Sequence, residues 1–241
     1  MKLNIHDSGP HDSGPHDGGL AGDKVALLIH GGMSDHRTWH AVEEHLIGLG
    51  YRVVAPDLRG HGHSPRGEYR PELLAEDLVE NLPTDADVAI GHSLGGLSLA
   101  LAASRLRPKR AVYSDPGFLL RNVPAGATAG MRHMVASATA ESVRAMNPRW
   151  SQEDVEAELA GFALFDPEFL SSMEYFEQAY LPESAVVPSL VQLADPSLCI
   201  DSRGMAQLEE RGFEVCRVPR AGHCIHRDDP QAFLKSLDGW I

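Results

Sequence analysis

The stretch DVAIGHSLGG, Asp87 to Gly96, constrains the fold more than any other part of this chain. An apolar run with strand character leads directly into G-x-S-x-G, and Leu94 opens a helical pattern that continues to Leu106. The backbone must therefore reverse sharply at Ser93, and glycines at 91 and 95 leave room for the close approach of strand and helix. Such a turn is strained, and it lifts the serine hydroxyl above the end of the strand. The helix N-terminus beneath it supplies free amides and positive potential, which makes the amide of Leu94 a donor for developing negative charge.

Similar units lie on either side. Runs rich in β-branched residues, VALLIHGG, YRVVAPD, DVAIGHS and RAVYSDPG, begin at Val25, Tyr51, Asp87 and Arg110, and each ends in a turn signal. Helical patterns at Thr38–Leu49, Pro71–Leu82 and Leu94–Leu106 separate them. This alternation predicts an α/β fold, a parallel sheet with helices on both faces. The pattern resumes late in the chain with SLVQLAD from Ser189, a helix near Ser202–Arg211, FEVCRVP from Phe213 and a helix over Pro230–Trp240.

Between Pro116 and about Pro188 the strand pattern stops. Helical runs are expected around Ala129–Met146, Ser151–Leu164 and Glu168–Tyr180. Met131, Met134, Trp150, Phe162, Phe165, Met173 and Phe176 give this segment more apolar surface than a free excursion would carry. It is expected to fold down as a lid over the carboxyl ends of the strands, dividing the chain into a core of residues 1–116, a helical cap of 117–187 and a second core portion of 188–241.

Composition narrows the function classes. Twenty-one Lys and Arg face 34 Asp and Glu, a net charge of −13, so a nucleic-acid surface would have to be built against the overall field. Runs such as VALLI are far too short to span a bilayer, which argues against a membrane role. The cysteines, Cys199, Cys216 and Cys224, are odd in number and lack C-x-x-C spacing, and MKLNIHDSG has no apolar signal segment; both point to the cytoplasm.

Two further motifs complete a possible reaction centre. HGG, His30 to Gly32, follows the strand VALLI, and its glycines let the backbone reach a site; Gly32 is the favoured second amide donor, ahead of Met33. AGHCIH, Ala221 to His226, follows the last strand. There His223, beside Gly222, is the expected general base, and His226 a packing or hydrogen-bonding residue. His61 and His63 in DLRGHGHS have no acidic or thiol ligands clustered beside them, and their glycines read as a turn.

Taken together, HGG, DLRGHGHS, GHSLGG and AGHCIHRDDP, in this order and with these elements between them, resemble the α/β-hydrolase fold over nearly the whole chain. The resemblance implies an eight-stranded, mostly parallel sheet, a cap inserted after the sixth strand, and a triad of Ser93, an acid and His223. In most relatives the acid ends the seventh strand, but LVQLADPSLCID puts Ser197 at that place, with Asp195 two residues early. Asp115, in VYSDPGF, matches the position used by some lactone hydrolases and dehalogenases of this fold. Asp115 leads, Asp195 is its rival, and Asp201 ranks well below. A serine at the turn argues against the dehalogenase and epoxide hydrolase branches, which use an aspartate nucleophile.

The expected activity is hydrolysis of a carboxylic ester or lactone of a small to medium apolar substrate, through an acyl-enzyme and without a metal or organic cofactor. Thioesterase, C–C hydrolase or lyase and perhydrolase chemistry occur on the same fold, as do non-catalytic ligand receptors. Arg121, Arg132 and Arg144 in the cap are candidates for meeting an anionic substrate, with solvated surface as the plainer reading. No motif bears on the number of copies in the assembly. The N-terminal repeat HDSGPHDSGPHDGG, His6 to Gly19, reads as a lengthened surface hairpin loop between two strands, with a weak metal site as its lesser alternative.

Overall fold

A computed structural model describes residues 1–9, 24–119, 127–176 and 179–241. Seven strands form one sheet: β1 (Ile5–Asp7), β2 (Lys24–Ile29), β3 (Tyr51–Pro56), β4 (Val88–His92), β5 (Ala111–Ser114), β6 (Ser189–Leu193) and β7 (Glu214–Arg217), in the spatial order β1-β3-β2-β4-β5-β6-β7. Among the described residues only β1 runs antiparallel, against β3; every other neighbouring pair is parallel.

The strand sequences explain the two layers that cover this sheet. Successive side chains point to opposite faces. Leu27, Ile29, Ala89 and Tyr113 therefore enter one core with α2 (Pro71–Asn81) and α3 (Leu94–Leu106), after α1 (His40–Gly48) has been laid down in the chain. Ala26, Leu28, Val88, Ile90 and Val112 enter the other, against Trp39, Leu46 of α1, and Phe233 and Leu237 near the C-terminus. Because both faces are buried, the central strands read as continuous apolar runs rather than alternating ones.

Between β5 and β6 lie α4 (Ala127–Ser137), α5 (Ala140–Met146), α6 (Gln152–Leu164) and a 3₁₀ segment (Pro167–Phe176). The single helix expected over Ala129–Met146 is broken at Thr139, whose hydroxyl accepts from the Ser142 amide while Ser142 reaches back to the Thr139 amide. A reciprocal cap of this kind starts a new helix. Phe165, Phe169, Leu170 and Phe176 are buried in the core shared with α2 and α3, so this segment packs down as its composition requires. Arg121 and the side chain of Met173 lie outside the described residues. The chain closes with α7 (Ser202–Glu210), α8 (Ile225–Asp228) and α9 (Pro230–Lys235), the last ending five residues before Trp240.

Three expectations need correction. The sheet has seven strands among the described residues, not eight, and the helical segment follows the fifth strand. The repeat does not join a hairpin: β1 pairs with one edge of β3 and β2 with the other, so the strands flanking it are not partners. The short strand Ile5–Asp7, which includes the first histidine and aspartate of the repeat, satisfies its hydrogen bonds on the outer edge of β3 instead. Most of the repeat itself, from Pro10 onward, lies outside the described residues. Among the described residues no helix is long and apolar enough to cross a membrane.

Candidate active site

Ser93 sits between β4 and α3 with φ +50° and ψ −113°, in a region that L-residues rarely adopt. The turn is held on three sides. The Ser93 amide donates to the Ser114 carbonyl of β5 at 3.0 Å, and the Ser93 carbonyl accepts from the amides of Leu97 and Gly117. The flanking glycines are obligatory here. A Cβ on residue 91 would stand 2.6 Å from the Gly95 carbonyl oxygen, and one on residue 95 only 2.2 Å from that of Ile29.

The strand next to β4 supplies the carboxylate. Asp115 leaves β5 with φ +39°, its amide bonded to the Gln192 carbonyl at 2.7 Å, and its side chain is fully buried. One carboxylate oxygen, Oδ2, lies 2.6 Å from Nδ1 of His223; on the far side of that ring, Nε2 lies 2.9 Å from Oγ of Ser93. Ser93, His223 and Asp115, from three separate parts of the sequence, thus form one hydrogen-bonded line. Burial alone would lower the pKa of His223, but the Asp115 carboxylate together with the neighbouring Cys199 and Cys224 thiols outweighs it and holds the imidazolium well above the ordinary histidine range.

The other carboxylates are elsewhere. Asp195 is exposed at the exit of β6, its amide bonded to the Ala221 carbonyl. Asp201 caps α7, accepting from the Gly204 amide at 2.7 Å. Ser197 has a role that composition could not reveal. Its hydroxyl donates to Oδ1 of Asp115 at 2.6 Å and accepts from the amides of Cys199 and Ile200, and the Ala194 amide adds a second donor to the same oxygen. The end of β6 thus holds a carboxylate that arrives from β5.

Leu94 occupies the first position of α3, where backbone amides have no intrahelical acceptor. Gly32, Met33, Leu94 and Ser93 line one cavity of about 420 Å³, so both expected amide donors stand at its edge. The walls are mostly apolar and include Met131 of α4 and Phe169, Leu170 and Phe176 of the 3₁₀ segment. Arg132 pairs with Ser171 and Glu168, and Arg144 with Gln152, so neither cap arginine lines this space.

The cation at the cavity is one the sequence did not single out. Arg227, in α8, is buried, ion-paired to Glu158 at 2.7 Å and stacked 3.7 Å over the Trp150 ring. His92 was also missed. Buried and held neutral by burial, it donates from Nε2 to the His223 carbonyl at 2.9 Å and ties the histidine loop to the strand that carries Ser93. Its place inside GHSLGG was the available signal. His226 packs, stacked on Trp39 with ring centroids 4.2 Å apart. His61 is buried, bonded to the Arg59 carbonyl and pushed down to about 3 by burial, whereas His63 is exposed. The DLRGHGHS turn is organised instead by the Asp57 carboxylate, which accepts from the His36 and His63 amides.

A family model described as "Alpha/beta hydrolase family" matches residues 26–236. This chain belongs to that family. Among curated relatives, an esterase of Mycobacterium tuberculosis is 40% identical over 84 residues, covering 32% of this chain and 27% of the relative. A probable protein phosphatase methylesterase 1 of Caenorhabditis elegans is 25% identical over 244 residues, covering 86% of this chain and 66% of that one. The chain thus spans less than two thirds of the length of either relative. Among solved structures, an N-formylmaleamic acid deformylase of Pseudomonas putida S16 superposes with a TM-score of 0.77 at 21% identity, covering 98% of this chain and 96% of that one, a likeness of fold.

Proposed function

We propose that this protein is a serine hydrolase that cleaves a carboxylic ester, lactones included, of a small to medium apolar substrate. The observation that carries the reading is the unbroken line from Ser93 Oγ through His223 to Asp115, opening on a mostly apolar cavity of about 420 Å³. In this mechanism His223 Nε2 accepts the proton as Ser93 Oγ attacks the carbonyl carbon. The amides of Leu94 and Gly32 receive the oxyanion, and Asp115 stabilises the imidazolium. His223 returns the proton to the leaving alcohol. Water, deprotonated by the same ring, then releases the acid and restores Ser93.

The apolar walls favour the hydrocarbon portion of an acyl or alkyl group, and the chemistry requires no metal or organic cofactor. The esterase and methylesterase among the relatives support ester cleavage. Free thiols at Cys199, Cys216 and Cys224 accord with a reducing cytoplasm. The substrate is a small molecule, and nucleic acid and membrane remain outside the proposal.

The test is labelling and turnover. A phosphonate probe should modify wild-type protein at Ser93, and Ser93→Ala should fold normally while losing both labelling and hydrolysis of short p-nitrophenyl esters and lactones. His223→Ala should be nearly as severe and His226→Ala mild. Ser93→Ala turnover near the wild-type rate would remove this serine from the mechanism, and stoichiometric ligand binding without turnover by the wild type would make the protein a receptor.

A further inference from the structure

Cys199 has no part in the proposed reaction, yet it is buried and its Sγ lies 4.0 Å from Nδ1 of His223. The ligating atoms of Asp115, Cys199 and His223 all lie within 4.8 Å of one another. Carboxylate, thiol and imidazole together form a donor set that suits a thiophilic divalent ion, above all zinc. We propose that these three side chains form an inhibitory zinc site that competes directly with the triad; the inhibition rests on the proposed function, whereas the binding does not.

The distances require little rearrangement. With Zn–S about 2.3 Å and Zn–N or Zn–O about 2.0–2.1 Å, tetrahedral ligands stand about 3.3–3.7 Å apart. The 2.6 Å contact between Nδ1 and Oδ2 must open, and the 4.0 Å contact between Nδ1 and Sγ must close slightly. Each change amounts to less than about 1 Å. Oδ1 of Asp115 stays bound to Ser197 and to the Ala194 amide, so the carboxylate is already oriented, and Oδ2, which here bonds His223 Nδ1, is the oxygen left to turn to an ion. The fourth position is left to water.

Inhibition follows from the two nitrogens of one ring. In the active tautomer Nδ1 carries the proton, donating it to Asp115, and Nε2 is the lone pair that accepts the proton of Ser93. Zinc takes the Nδ1 lone pair. The proton that Nδ1 carried is exchanged through solvent to Nε2, and the Cys199 thiol gives its proton to the buffer as it becomes a thiolate ligand. His223 then presents N–H toward Ser93 and has no lone pair for it, while Asp115 is spent on the metal. A chelator should leave the zinc-free enzyme unaffected and relieve this inhibition.

The experiment uses the full chain. Cobalt(II) replaces zinc as a spectroscopic probe, titrated into Ser93→Ala, in which all three ligands remain. A near-ultraviolet thiolate-to-cobalt band is expected at one equivalent, retained in Ser93→Ala/Cys224→Ala and lost in Ser93→Ala/Cys199→Ala. In parallel, the free zinc giving half-inhibition of ester hydrolysis, each variant normalised to its own metal-free rate, should rise at least tenfold in Cys199→Ala. If that variant does not fold, Cys199→Ser takes its place. Absence of a thiolate band, a band that follows Cys224 instead, or an unchanged zinc response in the Cys199 variant would overturn the proposal. A Cys199-dependent band in a protein without esterase turnover would leave the metal site standing and remove only the proposed function.

Discussion

Two adjacent strand exits, those of β5 and β6, each carry an aspartate near the same histidine loop, yet they are built oppositely. At the end of β5, Asp115 turns inward with a positive φ, is fully buried, and has its carboxylate bonded to His223, Ser197 and the Ala194 amide. At the end of β6, Asp195 is exposed, and what faces the site is Ser197. A neutral hydroxyl is the complement a buried carboxylate needs there, because a second carboxylate at 2.6 Å would repel the first and raise its pKa. The acid of this site therefore depends on which exit supplies the charge and which supplies the donor that holds it.

The comparison breaks most visibly at Asp115. Asp115→Asn presents an amide where His223 needs an acceptor, and a loss of up to about ten-thousandfold in kcat is the expected outcome, a size known from a serine protease. Pre-steady-state acylation measures it directly. If Asp195→Asn is the dead variant and Asp115→Asn stays active, the two exits have the reverse roles.

The same pair sets the pH dependence. His223 must be neutral to accept a proton, and Asp115 raises its pKa, so the active form is lost as pH falls through a value above the ordinary histidine pKa of about 6.5. The acidic limb of kcat/KM should lie on the alkaline side of that value in the wild type. Asp115→Asn should move whatever activity remains to a lower limb. A limb that ignores this substitution would separate Asp115 from the histidine.

Ser197→Ala sharpens the comparison from the β6 side. Removing one donor to a buried carboxylate costs about 1.5–3 kcal/mol, so a rate loss of about 10- to 150-fold is expected, recovered in large part by Ser197→Thr. Equal rates for the Ala and Thr variants would reduce Ser197 to a turn residue. Asp195→Asn should cost less than about tenfold, equivalent to less than about 1.4 kcal/mol of barrier. Smallest of all is deletion of one repeat unit, His11 to Pro15. Loop length changes closure entropy only slowly, by about 1 kcal/mol or less, and thermal melting with an activity assay checks that neither moves appreciably.

The parts of this molecule that are local in the chain were legible in it. The G-x-S-x-G turn, the helix from Leu94 to Leu106 and the apolar strands each express short-range rules of backbone geometry and burial, and they occur where those rules put them. Elsewhere local signals gave way to tertiary ones. The helix expected over Glu168–Tyr180 is a 3₁₀ segment at Pro167–Phe176, with Phe169, Leu170 and Phe176 buried, and packing outweighs helical propensity there. The strand at the start of the repeat paired across β3 rather than with β2, a choice between two edges that alternation alone cannot make.

By itself the sequence determined the order of strands and helices, the residue at the strained turn and the histidine beyond the last strand. These follow from periodicity, glycine and chain order, which are properties of neighbours in the chain. Tertiary structure decided which carboxylate meets His223, that Ser197 and not an acid stands beside it, that His92 anchors the histidine loop, and that Arg227 rather than a cap arginine lines the cavity. Each of those is a contact between residues brought together by the sheet. Asp115 and His223 are 108 positions apart, and only the parallel stacking of strand exits brings them to 2.6 Å.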